Sequence, residues 1–162
     1  MRPGIALYGI CPFEAPAAAA LRPVLRWKTR LARVQDMPPG SGISYGHTFV
    51  TRRPSRIGTL PVGYADGLCR RLSNLGQVLV RGRRVPLVGQ ICMDMAMVDL
   101  TDVPQAQAGD EVVLIGRQGN EEITAGELAA RCGTIPYETL CAIGPRVPRR
   151  YLPLPAVEEA SP

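Results

Sequence analysis

Tyr45 stands in Ile43-Ser44-Tyr45-Gly46-His47-Thr48-Phe49, flanked by small residues. A phenol with a pKa of about 10 is a poor base at neutral pH unless its surroundings lower that value. Once lowered, it can carry a proton to and from a carbon acid. A tyrosine between small neighbours in a β domain is more often a packing residue, so Ser-Tyr-Gly alone is weak evidence for a base. Tyr64 follows in Val62-Gly63-Tyr64-Ala65-Asp66-Gly67, where the glycines let an aromatic ring project from a tight turn. A turn capped by Asp66 also needs no ligand. Gln90-Ile91-Cys92-Met93-Asp94 offers a cysteine for nucleophilic chemistry, but the only histidine is His47, and a buried inert thiol is the plainer reading. Tyr137, in Thr134-Ile135-Pro136-Tyr137-Glu138, says little alone, and Arg2-Pro3-Gly4-Ile5 reads as a turn.

The elements that must hold these residues are mostly short strands. With 162 residues the chain is one domain, or one domain with an arm. Residues 4–9 read as a short buried strand and residues 12–20 as a Pro/Ala linker. Residues 27–34 alternate apolar and polar, the pattern of a half-buried strand. A turn at 38–42 is followed by short apolar segments at 56–62, 77–80, 84–91, 96–100 and 111–115. Gly and Pro punctuate the gaps, as in a sandwich or a barrel-like β domain. One helix is well signalled: Thr124 and Glu127 match a capping box, Leu128, Ala129 and Cys132 follow at helical spacing, and Gly133 is placed to stop it. A shorter helix is expected over 137–143. Pro145 and Pro148 favour extended chain, and the last ten residues read as a frayed tail. No internal repeat is visible.

Composition narrows the function classes. An apolar content of 46% suits a globular core. No apolar run reaches about 18 residues, so no membrane span is expected. The amino terminus lacks the apolar stretch of a signal peptide. Five cysteines without a CxxC pair argue against a disulfide framework or a zinc site. Cytoplasm is the expected location. The net charge of +5 raises nucleic acid as a partner, but eighteen of the nineteen basic residues are arginine, in scattered pairs. With two Phe and one Trp, stacking platforms for bases are scarce, so no nucleic-acid role is expected.

Taken in order, the patches around Tyr45, Tyr64, Met93 and Tyr137 resemble the carboxy-terminal part of alanine racemase, a pyridoxal-phosphate isomerase. The stretch Arg70-Arg71-Leu72-Ser73-Asn74 is also typical of that family, and the resemblance runs from about residue 2 to residue 151. It implies a mainly β fold: a barrel-like carboxy-terminal domain with one or two short helices, preceded by a single strand left from a TIM barrel. The implied boundaries are 1–20 for the barrel remnant and linker, 21–155 for the β domain, and 156–162 for the tail.

The resemblance also implies roles. Tyr45 is the base on one face of the substrate. Tyr64 lines the substrate entrance and helps position the carboxylate. Met93 offers that carboxylate its backbone N–H, a donor that suits an anion in a dry site. Tyr137 bonds the phosphate of pyridoxal 5'-phosphate, and the amides of Gly4 and Ile5 hold it, glycine permitting close backbone approach. Arg2 faces the pyridine nitrogen. A guanidinium cannot accept a proton, so that nitrogen stays unprotonated and side reactions such as transamination are limited. No metal is implied.

The resemblance equally marks a departure. The Schiff-base lysine that serves the other substrate face has no counterpart, since Lys28, the only lysine, falls on the solvated side of an alternating strand. The expectation is a truncated, split or excised racemase, inactive by itself. The complete enzyme would interconvert L- and D-alanine for peptidoglycan. Its partners would be alanine and either a second copy, as a homodimer, or a separate barrel chain, with no nucleic acid and no membrane. In the homodimer, Tyr45, Tyr64 and Met93 serve the partner subunit's site, and Arg2, Gly4, Ile5 and Tyr137 their own. The alternative is a non-catalytic interaction module or a split-enzyme partner of a barrel chain.

Overall fold

A computed structural model of the chain describes residues 2–11 and 21–152. The expected linker at 12–20 and the tail at 156–162 lie outside the described residues, as does the rest of the chain beyond Leu152. Ten strands and two α-helices are present among the described residues. Five strands form one antiparallel sheet: β1 (Trp27–Arg30), β9 (Glu111–Gln118), β6 (Gln77–Val80) and β7 (Arg83–Pro86) in that order, with β10 (Glu121–Ile123) also paired to β9. Three more, β2 (Arg33–Met37), β5 (Ser55–Leu60) and β8 (Ala96–Asp99), form a second sheet. The ribbon β3 (Gly42–Ile43) and β4 (Phe49–Val50) stands apart from both.

The alternating stretch 27–34 is therefore two strands in two sheets. The corner lies at Leu31 and Ala32. The Leu31 amide donates to the Asp110 carbonyl at 3.0 Å, while the next amide, Ala32, donates to Thr59 at 2.9 Å. Successive amides thus serve different sheets, and Leu31 stays in the core at the bend. At the other end a bridge between Leu87 and Val98 joins the exit of β7 to β8. The path β1-β9-β6-β7, then β8-β5-β2, returns through the corner to β1, which makes the wall barrel-like.

Val78, Leu79 and Val80 are buried in succession, and so are Val112, Val113 and Leu114. Consecutive burial in a strand requires cover on both faces. Leu128 and Cys132 of α1 (Ala125–Cys132) and Leu68 and Leu72 of the loop between β5 and β6 belong to the same cluster. Thr124 caps α1, its hydroxyl accepting from the Glu127 amide at 3.0 Å, and Gly133 closes it with φ +68°. The reciprocal half of the expected box is absent: the Glu127 carboxylate accepts from Arg84 instead. α2 (Pro136–Ala142) starts on a proline, which lacks the amide that would be orphaned there. Beyond it the chain turns, with the Val147 amide donating to the Gly144 carbonyl, where extended chain was expected.

The expected barrel strand at 4–9 is a 3-10 turn, Gly4–Tyr8. A strand needs a neighbour for its ladder. Here the amides bond locally, Ala6 to Pro3 at 3.2 Å and Gly9 to Ala6 at 2.9 Å. Only Ile5 of this segment is buried.

Candidate active site

The ribbon β3–β4 carries Tyr45 at its tip. A small cluster of Ile43, Ile57 and Val88, with Met37, Phe49 and Met97 packed against it, seats the ribbon on the second sheet. The turn is strained. Ser44 sits at φ 61°, ψ −172°, a region that glycine almost alone occupies, at a cost of roughly 1–3 kcal/mol. Its hydroxyl donates to the Gln90 carbonyl at 2.6 Å and lies 3.5 Å from the Cys92 sulfur. Gly89 presses against Ile43 and Ser44 from below; a Cβ there would stand 2.6 Å from the Ile43 oxygen. The turn is thus held against residues 89–92, yet the Tyr45 side chain is 76% exposed. Among the described residues its hydroxyl meets no hydrogen-bond partner. In this chain Tyr45 is not a packing residue.

Tyr64 and Met93 are brought together by their backbones. The Tyr64 amide donates to the Cys92 carbonyl at 3.0 Å, and the Ala65 amide to Met93 at 2.9 Å. Gly63 makes this approach possible, because a Cβ at that position would lie 2.3–2.5 Å from backbone atoms of Cys92 and Met93. Asp66 accepts from the Gly63 amide at 2.9 Å and so closes the 3-10 turn Tyr64–Asp66 on itself, as a capping aspartate should. The Met93 amide donates to no protein acceptor among the described residues, and the carboxylate of Asp94 has no partner there either. Tyr64 and Met93 are both half-exposed, at 49% and 54%.

Two residues that the sequence reading left without a role tie these loops into one body. Asn74, at φ 59°, accepts from the Gly89 amide at 2.6 Å and donates to the Thr48 hydroxyl at 3.0 Å. Ser73 accepts from the Ile91 amide at 3.0 Å. An Asn ahead of Gly76 signals a left-handed turn, but nothing in the sequence says where its amide reaches. Tyr45, Met93 and Tyr64 therefore sit on three segments joined by hydrogen bonds: the ribbon tip to 89–92, and 92–93 to 64–65.

A family model of the alanine racemase C-terminal domain matches residues 24–151. The chain belongs to that family. The alanine racemase of Halothermothrix orenii is 55% identical over 152 residues, covering 93% of this chain and 40% of that protein. The crystal structure of alanine racemase from E. faecalis superposes with a TM-score of 0.86 at 41% identity, covering 92% of this chain and 40% of that one. That of the Bartonella henselae racemase, with covalently bound pyridoxal phosphate, gives 0.84 at 38% identity over 92% and 40%. This racemase domain spans about two fifths of the length of the relatives it matches.

The other expected site residues of the racemase domain lie on two further segments, α2 and the 3-10 turn at Gly4–Tyr8 with Arg2 before it. Tyr137 is on α2 and 47% exposed, with no partner for its hydroxyl among the described residues. Gly4 and Ile5 open the 3-10 turn, and their adjacent amides likewise donate to nothing there. Gly4 has φ +57° and open space where a Cβ would stand. Arg2 is exposed. Tyr8 and Ile10 of this segment line a small cavity together with Leu25, Ala125 and Leu140. No hydrogen bond joins these segments to the ribbon tip among the described residues. Lys28 is engaged elsewhere, its ammonium 2.8 Å from Glu111 on the neighbouring strand.

Proposed function

We propose that the chain is the carboxy-terminal part of a pyridoxal-phosphate-dependent alanine racemase, acting with a barrel domain that another part or copy of the protein supplies. The observation that carries this reading is the exposure of Tyr45 on a backbone that is strained and held against residues 89–92. A tyrosine with only a packing role has no use for that arrangement. Tyr45 is the base that takes and returns the α-proton on one face of the amino acid. Nothing among the described residues touches the hydroxyl, so the groups that orient it belong to the barrel domain. The free Met93 amide binds the substrate carboxylate, and Tyr64 beside it narrows the approach.

The residues of these two segments suit an anionic cofactor. The adjacent amides of Gly4 and Ile5, which donate to nothing among the described residues and sit on backbone open enough for close contact, would fit phosphate oxygens, and the Tyr137 hydroxyl would add a donor. Arg2 would face the ring nitrogen and keep it from gaining a proton. Pyridoxal phosphate, when bound, supplies the electron sink that makes the α-proton labile. Lys28 does not fit the covalent anchor. It is paired with Glu111 on the five-stranded sheet, not on the ribbon that carries Tyr45.

The test is complementation. The 162-residue chain with added pyridoxal phosphate should show no alanine racemisation above that of the free cofactor. Mixed with a barrel domain from one of the relatives, it should racemise alanine, and the Tyr45→Phe chain should not. Turnover by the chain alone overturns the reading. Tight binding to the barrel without turnover in the mixture would leave an interaction module, the reading that the exposed Tyr45, Tyr64 and Met93 also favour.

A further inference from the structure

Behind Tyr64 lies a cavity of about 270 Å³ that the proton-transfer reading does not use. Its walls include Trp27, Tyr64, Cys69, Arg71, Cys132 and Glu138. Cys69 is half-buried and precedes the 3-10 turn Arg70–Leu72; Cys132 is the last residue of α1 and is buried. The Arg71 guanidinium donates to the Cys132 carbonyl at 3.1 Å, so the turn is stitched to the helix end where the two thiols lie. Leu68 and Leu72, each 1% exposed, pin the loop on either side of Cys69. On the far side Gly67 meets the Ala142 backbone so closely that no side chain fits. The loop from Tyr64 to Leu72 is thus wedged between both helices, with a thiol from each side opening on one hollow.

We propose that Cys69 and Cys132 form a reversible dithiol–disulfide pair, oxidised by hydrogen peroxide that enters this cavity, and that the cross-link ties the loop carrying Tyr64 to the end of α1. The two thiols have different parts. Burial, and after it the neighbouring Cys69 thiol, push the Cys132 thiol up to about 12, so Cys132 stays protonated. Cys69 is the less buried of the two and attacks first. Its sulfur forms a bond to one peroxide oxygen as the O–O bond breaks, giving a sulfenic acid and hydroxide, which takes up the proton that Cys69 lost. The Cys132 sulfur then attacks the sulfenic sulfur. The S–S bond forms, the S–O bond breaks, and the departing hydroxide takes the Cys132 proton as a second water. Two thiols lose two electrons in all, and one peroxide gains them.

The pair does not depend on racemase activity and is tested on the whole chain. The chain is treated with hydrogen peroxide, unfolded, alkylated and mapped by tandem mass spectrometry. The expected product is a monomer lighter by two hydrogens, in which Cys69 and Cys132 are joined and resist alkylation until a dithiol reductant restores both. The peptide that carries Cys132 also carries Cys141, so fragment ions must assign the bond, and Cys141→Ala should leave the cross-link intact while Cys132→Ala abolishes it. Thermal unfolding should move up by several degrees on oxidation and return on reduction. Cys69 found only as sulfenic or sulfinic acid, or joined to Cys141 or to a second chain, overturns the proposal.

Discussion

Arg84 grips Glu127 with both arms: Nη1 lies 2.6 Å from Oε1 and Nη2 3.1 Å from Oε2. Its Nε reaches Glu121 at 2.7 Å, and Nη2 also donates to the Glu122 carbonyl. One side chain of β7 therefore clamps β10 and the first turn of α1. The hydrogen bond from Arg84 holds the Glu127 carboxyl below its ordinary value of 4.5. A depressed carboxyl contributes stability that is fully present above that ordinary value and is lost as pH falls through the lower folded one. Urea unfolding should weaken below about pH 4.5. Arg84→Met should cost about 2 kcal/mol at neutral pH and flatten that acid slope. An unchanged slope would assign the acid sensitivity to another pair, such as Arg81 with Asp110, whose carboxyl is lowered in the same way.

Gly63→Ala should part the loops of Tyr64 and Met93. The added methyl meets backbone carbonyls, which cannot swing aside as a side chain could. A cost near 3 kcal/mol is expected, at the upper end for overpacking. Amide hydrogen exchange at Tyr64 and Ala65 should quicken well beyond the change at β6. Wild-type exchange at those two amides would mean the loops are held by something else.

Ser44 gives a test of stored strain. Glycine normally destabilises relative to alanine, by about 0.4–1 kcal/mol, through the unfolded chain. At this position it should do the opposite. Both replacements lose the bond to Gln90, but only glycine relieves roughly 1–3 kcal/mol of backbone strain. Ser44→Gly should therefore have the higher urea midpoint of the two. The reverse order would place Ser44 in an ordinary conformation.

Tyr45→Phe should leave the stability of the chain within about 0.5 kcal/mol, because the hydroxyl bonds to nothing among the described residues and the ring is mostly solvated. In the complemented enzyme the same change should lower racemisation by roughly 10²–10⁴-fold. Exchange of the α-proton with solvent deuterium should fall more for one enantiomer of alanine than for the other. Equal losses for both would argue for a positioning role instead of a base.

The elements read best from sequence were those with a local cause. Thr124 before a helical apolar pattern and Gly133 after it mark α1 without help from the rest of the chain. β6 was legible because its apolar run is bounded by turns. The corner at Leu31 was not, since alternation continues through it and only the hydrogen-bond partners change. Nor was β10, where Glu121 and Glu122 leave Ile123 as the single apolar residue. Residues 4–8 misled in the other direction: a short apolar run has no period that separates strand from turn. At the site, local residues left Tyr45 open between base and packing, and only the fold shows a ring pushed into solvent. The reach of Ser73 and Asn74 was invisible because it spans loops distant in sequence.

The pairing of Lys28 with Glu111 has a practical side. Reagents that acylate amines find one side-chain amine in 162 residues, because the other eighteen basic residues are guanidinium groups that such reagents leave alone. That amine projects from β1 on the five-stranded sheet and not from the ribbon that carries Tyr45. A dye or a surface tether placed there would mark the molecule at a known point and leave the tyrosine tip free, so the chain comes with its own handle for presenting that tip to whatever docks on it.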